Sequence, residues 1–210
     1  MRPIYLFSIS SHPEAISVNS LDITFLQPEI DFSLYDALII TSKQTSKALE
    51  FYPKEEYIHL PALCISKQSA QSFKDLGGEV LCIGKGYGDT LVDVIKEYPK
   101  ERKWLYLRAK VVASDFVKVS QKEGYMIDEA IVYESRCSEA IQEVEVAEDA
   151  ILIFTSPSSV DCFLKTHTIT SSQKVVVIGN TTAKALPDGV SYKVAHKPTI
   201  ESSLEMSRSI

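Results

Sequence analysis

The sequence predicts an α/β protein with two similar domains and mostly parallel sheets, joined by a two-stranded antiparallel β-ladder. Short apolar runs typical of buried strands alternate with segments whose apolar residues recur at helical spacing. The chain also contains an internal repeat. "ALIITSKQTSKAL" (37–49) aligns with "ILIFTSPSSVDCF" (151–163), and "ISKQSAQSF" (65–73) aligns with "IGNTTAKAL" (178–186), at nearly the same separation. Alternation and duplication together indicate two α/β domains with right-handed crossovers.

Seven apolar runs are predicted as parallel strands, and helices are predicted between them. The strands are expected at 4–9, 37–41, 62–66, 79–84, 103–108, 150–155 and 174–179, and the helices at 45–52, 67–78, 89–98, 115–124 and 180–189. Several helical segments close on glycine, as helix C-caps do. "LDITFLQPE" (21–29) and "YMIDEAIVYES" (125–135) have strand character without a following helix, so we expect them to pair as the antiparallel ladder.

The repeat also sets the expected domain boundaries. The two copies contain similar numbers of elements only if the N-terminal strand belongs to the second copy. We therefore expect a discontinuous domain of residues 1–22 plus 138–210, a second domain of residues 30–124, and a connecting ladder of residues 23–29 and 125–137. Such a ladder would act as a hinge between the domains.

Composition excludes several classes of partner. The 210 residues carry a net charge of −6, which disfavours nucleic acid as a partner. No apolar stretch approaches the roughly 18 residues that a membrane span needs, and the N-terminus does not resemble a secretion signal. We therefore expect a cytoplasmic protein with no membrane partner. Because no extended apolar interface stripe is present, we also expect a monomer.

The cysteines are expected to be reduced packing residues. They are widely separated along the chain, and three lie in or beside apolar runs, which favours packing over a disulfide framework or a metal site. The four positions are Cys64, Cys82, Cys137 and Cys162.

Hydroxyl-rich corners follow three of the predicted strands: "TSKQTS" (41–46), "TSPSS" (155–159) and "GNTT" (179–182). In open α/β sheets ligands bind outside the carboxyl ends of the strands, and helix starts offer N–H groups to carboxylates or phosphates. Gly179 would permit close backbone approach, while Thr181 or Thr182 is expected to cap the next helix. Taken singly, each corner is better explained as an ordinary helix N-cap, whereas three such corners related by the internal repeat favour a site between the domains.

Taken in order, these segments resemble the uroporphyrinogen-III synthase family of tetrapyrrole biosynthesis. The resemblance rests on "FTSPSSV" (154–160), "IGNTTAKAL", "YLRA" (106–109) followed by "GYMIDEAIVYES" (124–135), and "KPT" (197–199). It implies two α/β domains with the active site in the cleft between them. It also implies that hydroxymethylbilane, a linear tetrapyrrole rich in carboxylates, loses water and closes with ring D inverted, through a spiro-pyrrolenine intermediate. The family uses no cofactor and no metal.

The resemblance and the strand-end corners together suggest which residues form the site. Tyr133 matches the tyrosine that assists departure of the hydroxyl, although it could instead be a packing aromatic of the ladder. Arg108 could hold a carboxylate through a bidentate contact or form a surface ion pair. The expected substrate-binding residues are Thr41, Ser42, Ser69, Arg108, Ser156, Pro157, Ser158, Gly179, Thr181 and Thr182.

Two other classes of function are compatible with the pattern. A non-catalytic two-domain module that clamps a small anionic ligand would show the same corners without needing Tyr133. A tandem receiver-like signalling protein would need acidic residues at the first strand ends, where this chain has hydroxyls instead. An assay with hydroxymethylbilane distinguishes the synthase from both.

Overall fold

The computed structural model describes residues 2–112 and 114–210, which divide into two compact units. The terminal unit contains the residues up to Asp22 together with Arg136–Ile210, and the central unit is Ile23–Ser135. Positions 1 and 113, assigned by sequence to the discontinuous and the second domain respectively, lie outside the described residues.

The terminal unit is built on a five-stranded sheet in which every neighbouring pair is parallel, in the order β11-β10-β9-β1-β2. Its strands are β1 (Ile4–Ser8), β2 (Ile16–Asn19), β9 (Ile151–Phe154), β10 (Lys174–Val177) and β11 (Tyr192–Val194). Its helices are α6 (Glu139–Glu143), α7 (Pro157–Leu164), α8 (Asn180–Ala183) and α9 (Ile200–Ser207). Phe7, Phe154 and Phe163 pack together in the core, with ring centroids 4.9–5.4 Å apart.

The central unit is built on a six-stranded sheet in the order β3-β8-β7-β4-β5-β6. Its strands are β3 (Leu21–Phe25), β4 (Ala37–Ile40), β5 (Ala62–Cys64), β6 (Val80–Ile83), β7 (Lys103–Ala109) and β8 (Met126–Cys137). Its helices are α1 (Lys43–Leu49), α2 (Lys54–Tyr57), α3 (Lys67–Asp75), α4 (Leu91–Ile95) and α5 (Phe116–Lys122).

Both faces of the central sheet are covered, which explains why its strands are continuous apolar runs. Leu38 belongs to an apolar cluster with Phe73 of α3, whereas the next residue, Ile39, belongs to a different cluster with Phe116 of α5. Successive side chains of a strand point to opposite faces, so a strand between two helix layers is apolar at every position. The predicted α/β class with mostly parallel sheets is confirmed.

The two segments expected to form a ladder are hydrogen-bonded neighbours, β3 and β8. Backbone bonds run from Leu26 N to Val132 O (2.9 Å) and from Ser138 N to Ser20 O (3.3 Å), so residue numbers fall on one segment as they rise on the other, as in an antiparallel pair. β8 is longer than a simple connection requires, because it also pairs in parallel with β7. The ladder therefore extends the central sheet.

Glycine ends two of the helices as the sequence predicts. Gly77 and Gly124 both have φ of +92°, a left-handed conformation that few other residues adopt easily. Beyond α3, Gly77 N donates to Lys74 O at 2.8 Å, and beyond α5 Gly124 N donates to Gln121 O at 3.0 Å. Carbonyls at both helix ends are thereby satisfied.

The expectation that all four cysteines are reduced packing residues is wrong for two of them. Cys137 and Cys162 form a disulfide that joins the last residue of β8 to α7. The fold brings residues 25 apart in sequence to a Cα separation of 5.3 Å, a proximity that the spacing alone does not reveal. Cys64, which is buried, and Cys82 remain free.

The edge strand β2 was not predicted from the sequence. It follows β1 in parallel after a seven-residue connection without a helix, and only Val18 of its residues is buried. Within the described part of the chain, no helix is both long and apolar enough to cross a bilayer.

Candidate functional site

Two hydroxyl residues lie at the carboxyl end of β4, at the corner that leads into α1. Ser42 is the N-cap of α1, and its side chain accepts a hydrogen bond from Gln44 N at 3.1 Å. The Thr41 hydroxyl lies 3.0 Å from the Tyr106 hydroxyl of β7, the strand beside β4. Both predicted residues therefore stand at the edge of the sheet where ligands of open α/β folds bind.

Tyr133 of β8 lies next to this corner. Its ring is 8% exposed, in the apolar cluster that includes Leu107, and its hydroxyl forms a hydrogen bond with Ser42. Burial raises the pKa of Tyr133 above its usual value, and the Ser42 bond offsets part of that rise. Like a tyrosine of ordinary pKa, about 10, Tyr133 is protonated at neutral pH and carries a proton that it can donate. The structure thus brings together three of the predicted residues, Thr41, Ser42 and Tyr133.

Tyr106 completes this group, and the sequence reasoning did not identify it. It is 3% exposed, and burial is the largest cause of its raised pKa; the hydrogen bond from Thr41 lowers the pKa, and the proximity of Tyr133 raises it. The sequence does contain a signal for it: side chains alternate along the strand "KWLYLR", so Tyr106 lies on the same face of the sheet as Arg108, which was predicted as a site residue. We call Thr41, Ser42, Tyr106 and Tyr133 the tyrosine cluster.

Arg108 is already engaged by the protein. Its Nε lies 2.7 Å from Oε1 of Glu129, which is on the neighbouring strand β8. One of its terminal nitrogens donates to the carbonyls of Ala109 (2.9 Å) and Lys110 (3.1 Å). Of the two interpretations that the sequence left open, the ion pair is the one present in the structure. A carboxylate would have to displace or share these partners to bind Arg108.

Ser69 is occupied in holding the start of α3. It is 2% exposed, and its hydroxyl accepts from Ser66 N at 3.1 Å and donates to Ser66 O at 3.0 Å. Ser66 in turn caps α3 by accepting from Ser69 N at 3.3 Å. This reciprocal arrangement is a capping box, so Ser69 shapes the corner rather than presenting a free hydroxyl.

The corner after β9 repeats this construction in the terminal unit. Ser156 caps α7 and forms a capping box with Ser159. Pro157 occupies the first helical position, where its missing N–H removes no helical bond. Ser158, the next residue, is exposed. Ser156 and Ser158 therefore lie at an accessible helix start beyond the carboxyl end of a central strand.

The corner after β10 differs from expectation. Gly179 is itself the N-cap residue of α8 and provides no side-chain cap, so the prediction that Thr181 or Thr182 caps the helix is wrong. Both threonines lie inside α8; Thr182 is 3% exposed and Thr181 is exposed. A Cβ built on Gly179 would meet no atom within 4 Å. The space above this backbone is open, so a ligand could approach it closely.

The acidic side chains do not form a metal centre. Among residues 2–112 and 114–210, no group of three or more His, Cys, Asp or Glu side chains could hold a metal ion. The polar groups at the strand ends are mainly hydroxyls and phenols, which suits hydrogen bonding to oxygen anions.

Comparison with known proteins gives a consistent result. A sequence model of the family described as uroporphyrinogen-III synthase HemD matches residues 13–205. The crystal structure of uroporphyrinogen-III synthetase from Helicobacter pylori 26695 is similar, with a TM-score of 0.85 and 26% identity over 100% of this chain and 99% of that chain. A mutant uroporphyrinogen III synthase from the extremely thermophilic bacterium Thermus thermophilus shares the fold, with a TM-score of 0.62 and 16% identity over 93% and 88% of the two chains. No curated protein matches the sequence.

Proposed function

The chain belongs to the uroporphyrinogen-III synthase family, and we propose that it cyclises hydroxymethylbilane with the tyrosine cluster supplying the proton for the departing hydroxyl. Enzymes of this family are cyclising lyases of heme biosynthesis, and this chain is one of them. The observation that carries the proposal is the placement of the buried Tyr133 phenol against Ser42 at the carboxyl edge of the central sheet.

Tyr133 is the group we assign to the leaving hydroxyl. A hydroxide is a poor leaving group, whereas water leaves readily once a donor transfers a proton to the oxygen. A phenol, whose ordinary pKa is about 10, is protonated at neutral pH, so Tyr133 can act as that donor, an effect that is typically about 10² to 10⁴-fold in rate. Ser42 orients the phenol through its hydrogen bond, and it is itself held as the cap of α1. The second phenol, Tyr106, is held by Thr41 at 3.0 Å in the same region.

The strand-end corners are proposed to hold the substrate carboxylates. Ser158 offers an exposed hydroxyl at the start of α7, Ser156 holds that helix start through its cap, and Gly179 leaves its backbone open to close approach. Such contacts fix the orientation of a flexible substrate, and orientation contributes much of the rate when the chemistry itself is easy. In the terminal unit, Pro157, Thr181 and Thr182 remain proposed substrate-binding residues. In the central unit, Ser69 would act by capping α3, and Arg108 would bind a carboxylate by displacing or sharing Glu129.

We also propose that the chain acts as a cytoplasmic monomer on this tetrapyrrole, without a nucleic acid partner. The net charge of −6 supports the last point, because phosphate backbones attract basic surfaces. Light scattering during gel filtration tests the monomer, and a dimer mass at assay concentration would overturn it.

The test is turnover of freshly prepared hydroxymethylbilane, with isomers I and III separated after oxidation. We expect the wild-type protein to yield isomer III well above the uncatalysed background. Tyr133→Phe should lower kcat by about 10²-fold while KM changes little, because the lost proton acts in the transition state. Tyr192→Phe, at an exposed tyrosine of β11, is the matched control and should match wild type.

Two outcomes would count against the proposal. Absence of isomer III above background would remove the synthase function. Undiminished kcat in Tyr133→Phe would remove only the role of the phenol.

A further inference from the structure

Four exposed apolar side chains lie where two strands of the central sheet end. At the end of β6, Ile83 is 42% and Tyr87 is 65% exposed, and beyond β7, Val111 is 82% and Val112 is 39% exposed. Single exposed apolar residues are ordinary on protein surfaces, whereas several at one ligand-binding edge mark a contact surface.

The segment that carries Tyr87, residues 84–90, is fixed to the start of the next corner. Gly84 N donates to Cys64 O at 2.7 Å, and Gly86 N donates to Ile65 O at 2.8 Å. Gly86 has φ of +88°, so the chain turns there in a conformation that favours glycine. Lys85 and Tyr87 therefore flank Gly86, which is bonded to Ile65, the residue before the α3 cap Ser66.

The same segment is fixed at its other end to the loop after β7. The Ser114 hydroxyl donates to Asp89 Oδ1 at 2.6 Å, and a Cβ on Gly88 would lie 2.5 Å from Ser114 Cβ. The close approach requires glycine at position 88. Residues 84–90 are therefore held at both ends, and their exposed side chains are presented by an ordered backbone.

Lys85 provides a charge on this segment. It is exposed, and within residues 2–112 and 114–210 it forms no salt bridge. Lys110, at the end of β7, is by contrast paired with Glu134 at 2.9 Å. Lys85 is thus a cation without a protein counter-ion, two residues from an exposed aromatic ring.

We propose that Lys85 and Tyr87 form a substrate-binding subsite, in which Lys85 pairs with a carboxylate side chain of the tetrapyrrole and Tyr87 packs on the pyrrole that bears it. The proposal rests on the proposed function, because it names a subsite for that substrate. A pyrrole with an acidic substituent offers a flat π face and a negative charge close together, and the Lys85 ammonium and the Tyr87 ring, two residues apart, supply a partner of the right chemistry for each. Because the segment is already ordered, binding there costs little conformational entropy.

The test is steady-state kinetics with hydroxymethylbilane for Lys85→Ala, Tyr87→Ala and Tyr87→Phe. We expect Lys85→Ala and Tyr87→Ala each to raise KM about 5- to 20-fold with kcat within about two-fold, the pattern of a lost binding contact. Tyr87→Phe should retain the wild-type KM, because packing needs the ring and not the hydroxyl. In Lys85→Ala the rise of KM with added salt should also become shallower, since one screened ion pair is gone.

Matched controls come from exposed residues away from these loops. Lys122→Ala, at the end of α5, and Tyr192→Ala, in β11, should leave KM and its salt dependence unchanged. If wild type forms isomer III while Lys85→Ala and Tyr87→Ala keep the wild-type KM, the subsite is refuted and the synthase function stands. If wild type forms no isomer III, the function fails and the subsite with it.

Discussion

Breaking the Cys137–Cys162 disulfide should destabilise the terminal unit by about 3.5 kcal/mol. The bond joins residues 25 apart in sequence, and both lie in the terminal unit. Closing a loop of that length removes about 12 cal/mol/K of entropy from the unfolded chain, which is about 3.5 kcal/mol at 25 °C. Without the bond the unfolded chain regains that freedom, so the folded terminal unit loses a large share of the stability usual for a domain.

The assay is urea unfolding with and without reductant, followed by two signals. Trp104 is the single tryptophan of the chain and is 0% exposed in the central unit, so its fluorescence reports on that unit. Far-UV circular dichroism reports on both units. With reductant we expect the dichroism transition of the terminal unit to move down by about 1 to 3 M urea. The fluorescence midpoint should move less.

Variants separate the bond from other effects of reductant. Cys137→Ala, at a half-buried position, should behave without reductant as reduced wild type does. Cys82→Ser keeps the bond and should keep the full response to reductant. The reasoning fails if reductant leaves the dichroism midpoint in place while mass spectrometry shows that Cys137 and Cys162 have both become alkylated.

Three further predictions concern the buried phenols, the free thiols and a helix cap. Burial raises the pKa values of Tyr106 and Tyr133, so as pH rises the unfolded chain loses these protons before the folded chain does. The free energy of unfolding should therefore fall as pH rises above about 10. Urea titrations at pH 8 to 11 measure this fall in wild type and in the variant with both tyrosines changed to Phe. Burial raises the pKa of Cys64 to about 12, so in the native protein Ellman's reagent should label Cys82 and reach Cys64 only after unfolding; prompt labelling of both would contradict this. Ser156→Ala removes the cap of α7 and should cost about 0.5 to 2 kcal/mol in urea unfolding, with no loss expected from Ala at the exposed Ser158.

Much of the fold could be predicted because burial on both faces makes a strand an apolar run. All four residues of β9, Ile151–Phe154, are buried, and the run is unmistakable in the sequence. β2, Ile16–Asn19, lies at the sheet edge with one buried residue, so it shows no such run and was missed. Local signals also explain the glycine helix ends. The disulfide could not be predicted, because chain spacing does not state which thiols the fold brings together.

The proposed site residues remain predictions, and for two reasons the sequence could not show how some of their side chains are already engaged. Serine at a strand end serves a helix cap and a ligand equally well, so the sequence could not show that Ser69 is occupied by its capping box. Arg108 was ambiguous because its partner, Glu129, is distant in sequence and adjacent only across paired strands. The Ser42–Tyr133 contact also joins residues distant in sequence; the family resemblance suggested each residue separately, and the contact itself was not predicted.

The internal repeat places equivalent corners in both units, and their threonine hydroxyls have different partners. In the central unit the Thr41 hydroxyl meets that of Tyr106, and Ser42 meets Tyr133. In the terminal unit the equivalent Thr155 hydroxyl donates to Phe7 O at 3.1 Å, a backbone contact that leaves it no phenol to orient. Proton transfer requires a titratable group such as a phenol. Binding a substrate carboxylate requires only hydrogen-bond donors. The proposed proton donor therefore has a counterpart corner in the terminal unit that lacks this hydroxyl-to-phenol contact.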